Sequence, residues 1–274
     1  VQVDTHIHLD LLPDAVPLPA DPAWRGLVPA TTPASARRAL NRWADDPRVA
    51  VAAGLHPWWA AGQAPGPHGE QGVIPPPPGV EPGPWSTLRA LVGEARVVAV
   101  GEIGLDFLRT PPHAPGHGSM QAWCSAQMAL ARDHDLPVIL HVVRAHAAAR
   151  AMVQQAARAQ GAPVRGIVHA FSGSREEALA WIRLGFVLGL GPLVTRPRAR
   201  VGGLVPELPA GTWVLETDAP SMVPSPGVAG QGRPEDVARV TAAVARLRGS
   251  DVATVEGEHA VALRRLGMRT GWPW

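Results

Sequence analysis

Eight short apolar runs, rich in β-branched residues, recur along the chain with helix-like stretches between them. This alternation limits the fold more than any other feature. The runs are VQVDTHIH, WRGLVPAT, RVAVAAGLHP, ARVVAVGEIGLD, LPVILHV, VRGIVHAFSG, GFVLGLGP and TWVLETDAP. Each is too short, and too apolar on both faces, to form an amphipathic helix. Such runs suit strands buried on both sides, as in a parallel sheet covered by helices. Between them, ASARRALNRWADD, WSTLRALVGEA, SMQAWCSAQMALARDHD, AHAAARAMVQQAARAQ and SREEALAWIRL read as helices, and two more are expected at about 234–248 and 251–266. The pattern predicts an α/β chain folded as a TIM-type (β/α)8 barrel, with its chemistry at the C-terminal ends of the strands. An open, doubly wound sheet is the alternative, but no G-x-G-x-x-G follows the first strand.

A length of 274 residues suits a single barrel domain spanning 1–274, and 46% hydrophobic residues supply its core. Two stretches interrupt the alternation. Residues 11–23 hold four prolines, so the first crossover is expected to lack a full helix. Residues 61–84 hold APGPHGEQGVIPPPPGVEPGP and read as an extended, polyproline-like insertion. It follows the third strand, so it is either a tolerated surface loop or a rim or lid on the reactive face. A contact surface for a protein partner is a further reading of the same insertion.

Composition narrows the remaining classes. No run of eighteen apolar residues is present, so no membrane span is expected. No cationic start followed by an apolar stretch is seen, so no signal peptide is expected. The one cysteine, Cys124, excludes an internal disulfide framework and fits a reducing compartment. A cytoplasmic location follows as an expectation. Every basic side chain is arginine, and the net charge is only +2. That balance permits a nucleic-acid substrate without arguing for one.

The stretch VDTHIHLD begins the site. Side chains at i and i+2 share a face of a strand, so His6 and His8 would project together with Ile7 on the other side. Alone, H-x-H reads equally well as a metal clamp or as two ordinary histidines. The remaining strands decide it. The third run closes in His56, the fourth in Glu102 with Asp106 beyond, the fifth in His141, the sixth in His169 and the eighth in Asp218. A buried imidazole or carboxylate must be paired or bind a metal. Here the groups would converge on one end of one barrel, which points to a metal centre.

The blocks DTHIH, GLHP, GEIGLD, LPVILHVVRAH, HAFSGS and LETDAP resemble the signature segments of the TatD family of metal-dependent hydrolases, in the amidohydrolase superfamily. TRPRA and GQGRPEDVARV are closer to its YjjV-like branch. The resemblance runs from Val3 to about Leu266. It implies two divalent ions, zinc, manganese or magnesium. His6, His8, Glu102 and Asp218 would hold one; Glu102, His141 and His169 would hold the other, with Glu102 bridging. Asp218 and Glu102 would be the catalytic carboxylates, Asp218 orienting the attacking water and taking its proton. Asp10 and His56 would lie near the substrate phosphate, and Asp106 would fix a ligand from behind or cap its turn.

Two departures bear on substrate. Many relatives carry H-S-R after the fifth strand, whereas His141 here is followed by two valines, and Arg144, the first arginine beyond them, is the expected substrate contact in its place. They also carry an asparagine where this chain has Gly232. The expected activity is hydrolysis of phosphodiesters at DNA ends, as by a 3′–5′ exonuclease. Hydrolysis of small esters or amides, or of aminoacyl-tRNA esters, is the alternative. A partner-binding subunit with a vestigial metal site is a third.

Overall fold

A computed structural model describes residues 1–13, 16–63, 83–225 and 231–268. Eight parallel strands run in chain order around the sheet: β1 (Val3–Asp4), β2 (Arg25–Pro29), β3 (Val49–Ala53), β4 (Val97–Asp106), β5 (Val138–Val143), β6 (Gly166–Val168), β7 (Val187–Leu190) and β8 (Trp213–Leu215). Each pairs with the next. The seam between last and first is closed just past the strands. Thr5 N–H donates to Leu215 O at 3.0 Å, Asp218 N–H to His6 O at 2.8 Å, and His8 N–H to Ala219 O at 2.8 Å. The fold is therefore the (β/α)8 barrel that the alternation predicts.

The helices are α1 (Pro33–Arg42), α2 (Pro57–Ala60), α3 (Pro84–Val92), α4 (His117–Asp133), α5 (His146–Gln160), α6 (Arg175–Arg183), α7 (Arg200–Leu204), α8 (Asp236–Arg248) and α9 (Val252–Leu266). Local chemistry sets several starts. Thr32 accepts from Ser35 N–H ahead of α1, with proline at the first helical position. Ser174 and Glu177 form the same reciprocal box at α6.

Alternating strand residues divide the interior in two. Leu27, Ala50, Ala52, Ile139, Ile167, Val187 and Val214 form one apolar cluster with Ala262, Leu263 and Leu266 of α9. Their neighbours Val28, Val51, Leu140, Val168, Leu188 and Leu215 join the larger layer between sheet and surrounding helices. Helix α9 ends beside the N-terminal mouth of the barrel, where Arg165, just before β6, donates to Leu266 O at 2.8 Å. With that mouth closed by α9, the opposite end is left for a site.

The first strand is shorter than its apolar run. β1 stops at Asp4 rather than reaching His8, because the Asp4 carboxylate takes the His6 N–H at 3.2 Å and bends the chain. Ile7 still points into the core, fully buried, and the His6 and His8 rings still meet, with centroids 5.0 Å apart. In the first crossover the described residues hold only a 3-10 turn, Leu9–Leu11. Most of the proline-rich insertion, residues 64–82, lies outside the described residues.

Candidate metal centre

Glu102 lies at the centre of the C-terminal mouth, carried by β4 and 2% exposed. Its two oxygens face different groups. Oε2 lies 3.4 Å from His6 Nε2 and 3.7 Å from His8 Nε2. Oε1 lies 2.8 Å from His141 Nδ1, 3.5 Å from His56 Nε2 and 3.9 Å from His169 Nε2. Asp218 closes the first group, with Oδ1 3.5 Å from His8 Nε2 and 3.9 Å from His6 Nε2, while its Oδ2 lies 3.9 Å from His169 Nε2. The structure thus brings His6, His8, Glu102, His141, His169 and Asp218 together, with His56 among them.

The donor set fits a divalent ion. Both His6 ring nitrogens are buried and have no hydrogen-bond partner among the described residues, an arrangement that costs free energy unless something else binds them. A tetrahedral site with bonds of roughly 2.0–2.2 Å has ligand atoms about 3.4 Å apart. The separations of 3.4–3.9 Å among His6, His8, Glu102 and Asp218 are close to that. Ligand-type atoms in three overlapping trios, His6–His8–Glu102, His6–His169–Asp218 and His56–Glu102–His141, lie within 4.8 Å of one another.

Ring orientation separates ligands from donors. His56 caps α2, and its Nδ1 accepts the Trp58 N–H at 3.2 Å. Burial lowers His56 to about 4, against the pull of Glu102, so the ring is neutral at pH 7. The proton must then sit on Nε2, the nitrogen that faces Glu102. An N–H there can donate a hydrogen bond but has no lone pair for a metal. His169 is turned the other way: Nδ1 lies 3.1 Å from Glu216 Oε1, which leaves Nε2 facing the centre. In His141, Nε2 faces Asp106 Oδ2 at 3.2 Å and Nδ1 faces Glu102.

The electrostatics follow from crowding. Burial would raise Glu102, but His56, His6 and His141 hold it well below the usual carboxylate range. Burial would depress His8, yet Asp218, Glu102 and Asp10 raise it to about 9. His141 is lifted to about 9 by Asp106 and Glu102, again against burial. Without a cation the cluster stores charge as imidazolium–carboxylate pairs. A divalent ion can take over that compensation.

Three buried groups behind this layer were not singled out from the sequence. Glu216 is fully buried and accepts the Ala170 N–H at 2.6 Å while facing His169. Room for it comes from Gly189 of β7, where an added Cβ would lie 2.3 Å from the Glu216 carboxylate. Its signal was available: Glu216 and Asp218 share the i, i+2 spacing of His6 and His8. Asp4, raised to about 8 by burial against its hydrogen bonds, accepts from Thr217 Oγ1 at 2.6 Å and Thr217 N–H at 3.0 Å. Together Asp4 and Thr217 tie the β1 end to the β8 end, beneath His6 and Asp218.

The centre opens into a cavity of about 270 Å³, walled by Leu11, Thr31, Trp58, Trp59 and Ser221 beside the histidines and carboxylates. Asp106, buried, accepts from Trp58 Nε1 at 2.7 Å and from the Leu108 and Arg109 N–H groups at 3.0 Å. It therefore both backs His141 and caps its own turn. Asp10 is buried in the 3-10 turn after His8, outside the cavity wall. Arg144 is exposed on the β5–α5 connection, φ 53°, and also lies outside that wall. At Gly232 an added Cβ would lie 2.1 Å from Met222 O, so the asparagine of relatives has no room in this chain.

The family model described as TatD related DNase matches residues 3–266. An uncharacterised metal-dependent hydrolase of Escherichia coli K12, YjjV, is 41% identical over 157 residues, 56% of this chain and 57% of that protein. A protein of Pantoea vagans described as the 3′-5′ ssDNA/RNA exonuclease TatD is 37% identical over 142 residues, 51% of this chain and 52% of that one. The chain thus spans about half the length of these curated relatives in its matches. The crystal structure of Escherichia coli YjjV superposes with a TM-score of 0.79 at 29% identity, covering 96% of each chain.

Proposed function

Because the chain belongs to the TatD-related DNase family of metal-dependent hydrolases, we propose that it is a single barrel domain that cleaves phosphodiesters at the ends of single-stranded DNA. The observation that carries this reading is the bridging position of Glu102, with one oxygen toward His6 and His8 and the other toward His141 and His169. His6, His8, Glu102 and Asp218 would hold one divalent ion, and Glu102, His141 and His169 a second. Imidazole with carboxylate suits zinc or manganese better than magnesium. Ions bound there would supply Lewis acidity, favouring hydroxide at neutral pH and offsetting charge that builds on phosphate oxygens.

The chain's own groups do the rest. Asp218, its side chain largely buried, is held below the usual carboxylate range, against that burial, by His8, His169 and His6, so it is an ionised acceptor at neutral pH. It orients the attacking water and takes its proton as the new bond to phosphorus forms and the bond to the departing nucleoside oxygen breaks, and that oxygen then leaves with the proton. His56 presents its Nε2–H to a phosphate oxygen, a donor whose direction is fixed by the Trp58 N–H on its other nitrogen. Exposed arginines on connections at the same end of the barrel, Arg109, Arg144, Arg196 and Arg198, suit an anionic strand. Among the described residues no helix is long and apolar enough to cross a membrane.

The test is incubation of metal-loaded protein with end-labelled single-stranded DNA and, in parallel, a panel of small carboxylic esters, with and without chelator. Stepwise loss of terminal nucleotides that stops with chelator supports the proposal. Ester hydrolysis with DNA untouched would replace it.

A further inference from the structure

Beyond the reacting centre, the mouth of the cavity carries an arrangement that phosphate chemistry does not require. Trp58, at the start of α2, forms part of the cavity wall and is half-buried. Its indole N–H donates to the buried Asp106 carboxylate at 2.7 Å, so the ring cannot pivot freely. The same carboxylate holds the Arg109 N–H at 3.0 Å, bringing the β4–α4 connection against the ring. The exposed Arg109 guanidinium then lies 3.9 Å over the indole centroid. Among the described residues no carboxylate is paired with it. Leu108, beside it, is 56% exposed.

Size limits what the cavity itself can take. About 270 Å³ falls just below the roughly 300–1,000 Å³ of pockets that enclose a whole drug-sized ligand. A phosphate and its sugar would fill it, which leaves the attached base at the rim. A planar, weakly hydrated guanidinium 3.9 Å over an anchored indole adds a second plane on which a base can stack. Stacking of bases on aromatic and guanidinium planes is tolerant of sequence, since every base has a π face.

We propose that Trp58 and Arg109 form a stacking shelf for the terminal base of the strand, a specificity element that makes this site prefer nucleotides over other phosphate esters. The inference rests on the phosphodiesterase reading for where the phosphate sits, but its test can be read apart from cleavage. Isothermal titration of the metal-loaded protein would compare dAMP with deoxyribose 5-phosphate, which lacks the base. Wild type should favour dAMP by about 5- to 150-fold, the range that loss of one stacking partner produces. In Arg109→Ala and Trp58→Leu the preference should shrink to about twofold or less. Arg109 is exposed, so its replacement does not threaten the fold. Arg109→Lys keeps the charge without the plane and should lose the preference as the alanine variant does.

No preference in wild type, or a preference that survives both Arg109→Ala and Trp58→Leu, would overturn the shelf. Full retention in Arg109→Lys would also overturn it, since charge alone would then explain the affinity. Cleavage of end-labelled DNA, followed alongside, separates the two ideas. Cleavage without base preference sinks the shelf and leaves the phosphodiesterase reading intact. Base preference without cleavage does the reverse.

Discussion

Replacing Glu216 tests how the candidate metal centre is held from behind. The carboxylate is fully buried, fixed by the Ala170 N–H at 2.6 Å, and 3.1 Å from His169 Nδ1. Held this way, His169 turns Nε2 toward Glu102 and Asp218. Glu216→Gln keeps the size and leaves a carbonyl oxygen for both donors, so it removes charge but little orientation. Glu216→Ala removes both, leaving the half-buried Ala170 N–H without its acceptor, at about 1–3 kcal/mol, and the His169 ring without the carboxylate that faces it. Outer partners of metal-bound histidines typically contribute 10- to 100-fold to metal affinity, about 1.4–2.7 kcal/mol. Glu216→Gln should fall near the lower figure and Glu216→Ala near the upper, read by competition with a chromophoric chelator. The alanine variant should also gain less in Tm from added metal than wild type does. A folded Glu216→Ala protein that binds metal within about twofold of wild type would refute the role given to Glu216.

Three further outcomes are expected. Asp218→Asn should lower kcat on a phosphodiester by roughly 100-fold or more while moving KM less, and near-full kcat at saturating metal would require another proton acceptor. His259, on α9, is pushed down to about 3 by burial. Its folded-state value lies below the unfolded one, so its contribution to stability is complete above about pH 6.5 and is lost as pH falls toward about 3. The loss should reach about 2 kcal/mol between pH 6.5 and 5, and His259→Leu should flatten that part of the urea-unfolding profile; unchanged slopes would assign it to other groups. Thr32→Ala removes the cap of α1 and should cost about 1 kcal/mol, or about 2–4 °C in Tm, whereas an unchanged melt would make the cap redundant.

The strands, their order and the end that bears the polar groups were legible because short apolar runs and their terminal histidines are local signals. His6 and His8 were correctly read as neighbours although β1 ends before them. The buried Ile7 between them enforces the same alternation. Glu216 follows the β8 run two residues before Asp218, a spacing that marks it, but its partner His169 comes from a different strand, so only folding shows the pair. The difference between His56 as donor and His141 or His169 as lone-pair sources rests on which nitrogen meets Trp58, Asp106 or Glu216. Composition and spacing carry no trace of that. Arg144 was a candidate phosphate contact by its place after β5, but a left-handed backbone leaves it exposed outside the cavity wall. The Trp58–Arg109 contact joins two connections whose approach depends on Asp106, and no periodicity could forecast it.

The most direct measurement is an anomalous-scattering map from crystals grown with manganese or zinc. Two peaks are predicted, one bounded by His6, His8, Glu102 and Asp218, the other by Glu102, His141 and His169, with the His56 ring turned so that Nδ1 still accepts from Trp58. An empty centre, or a peak bonded to His56 Nε2 in place of His169, would contradict it.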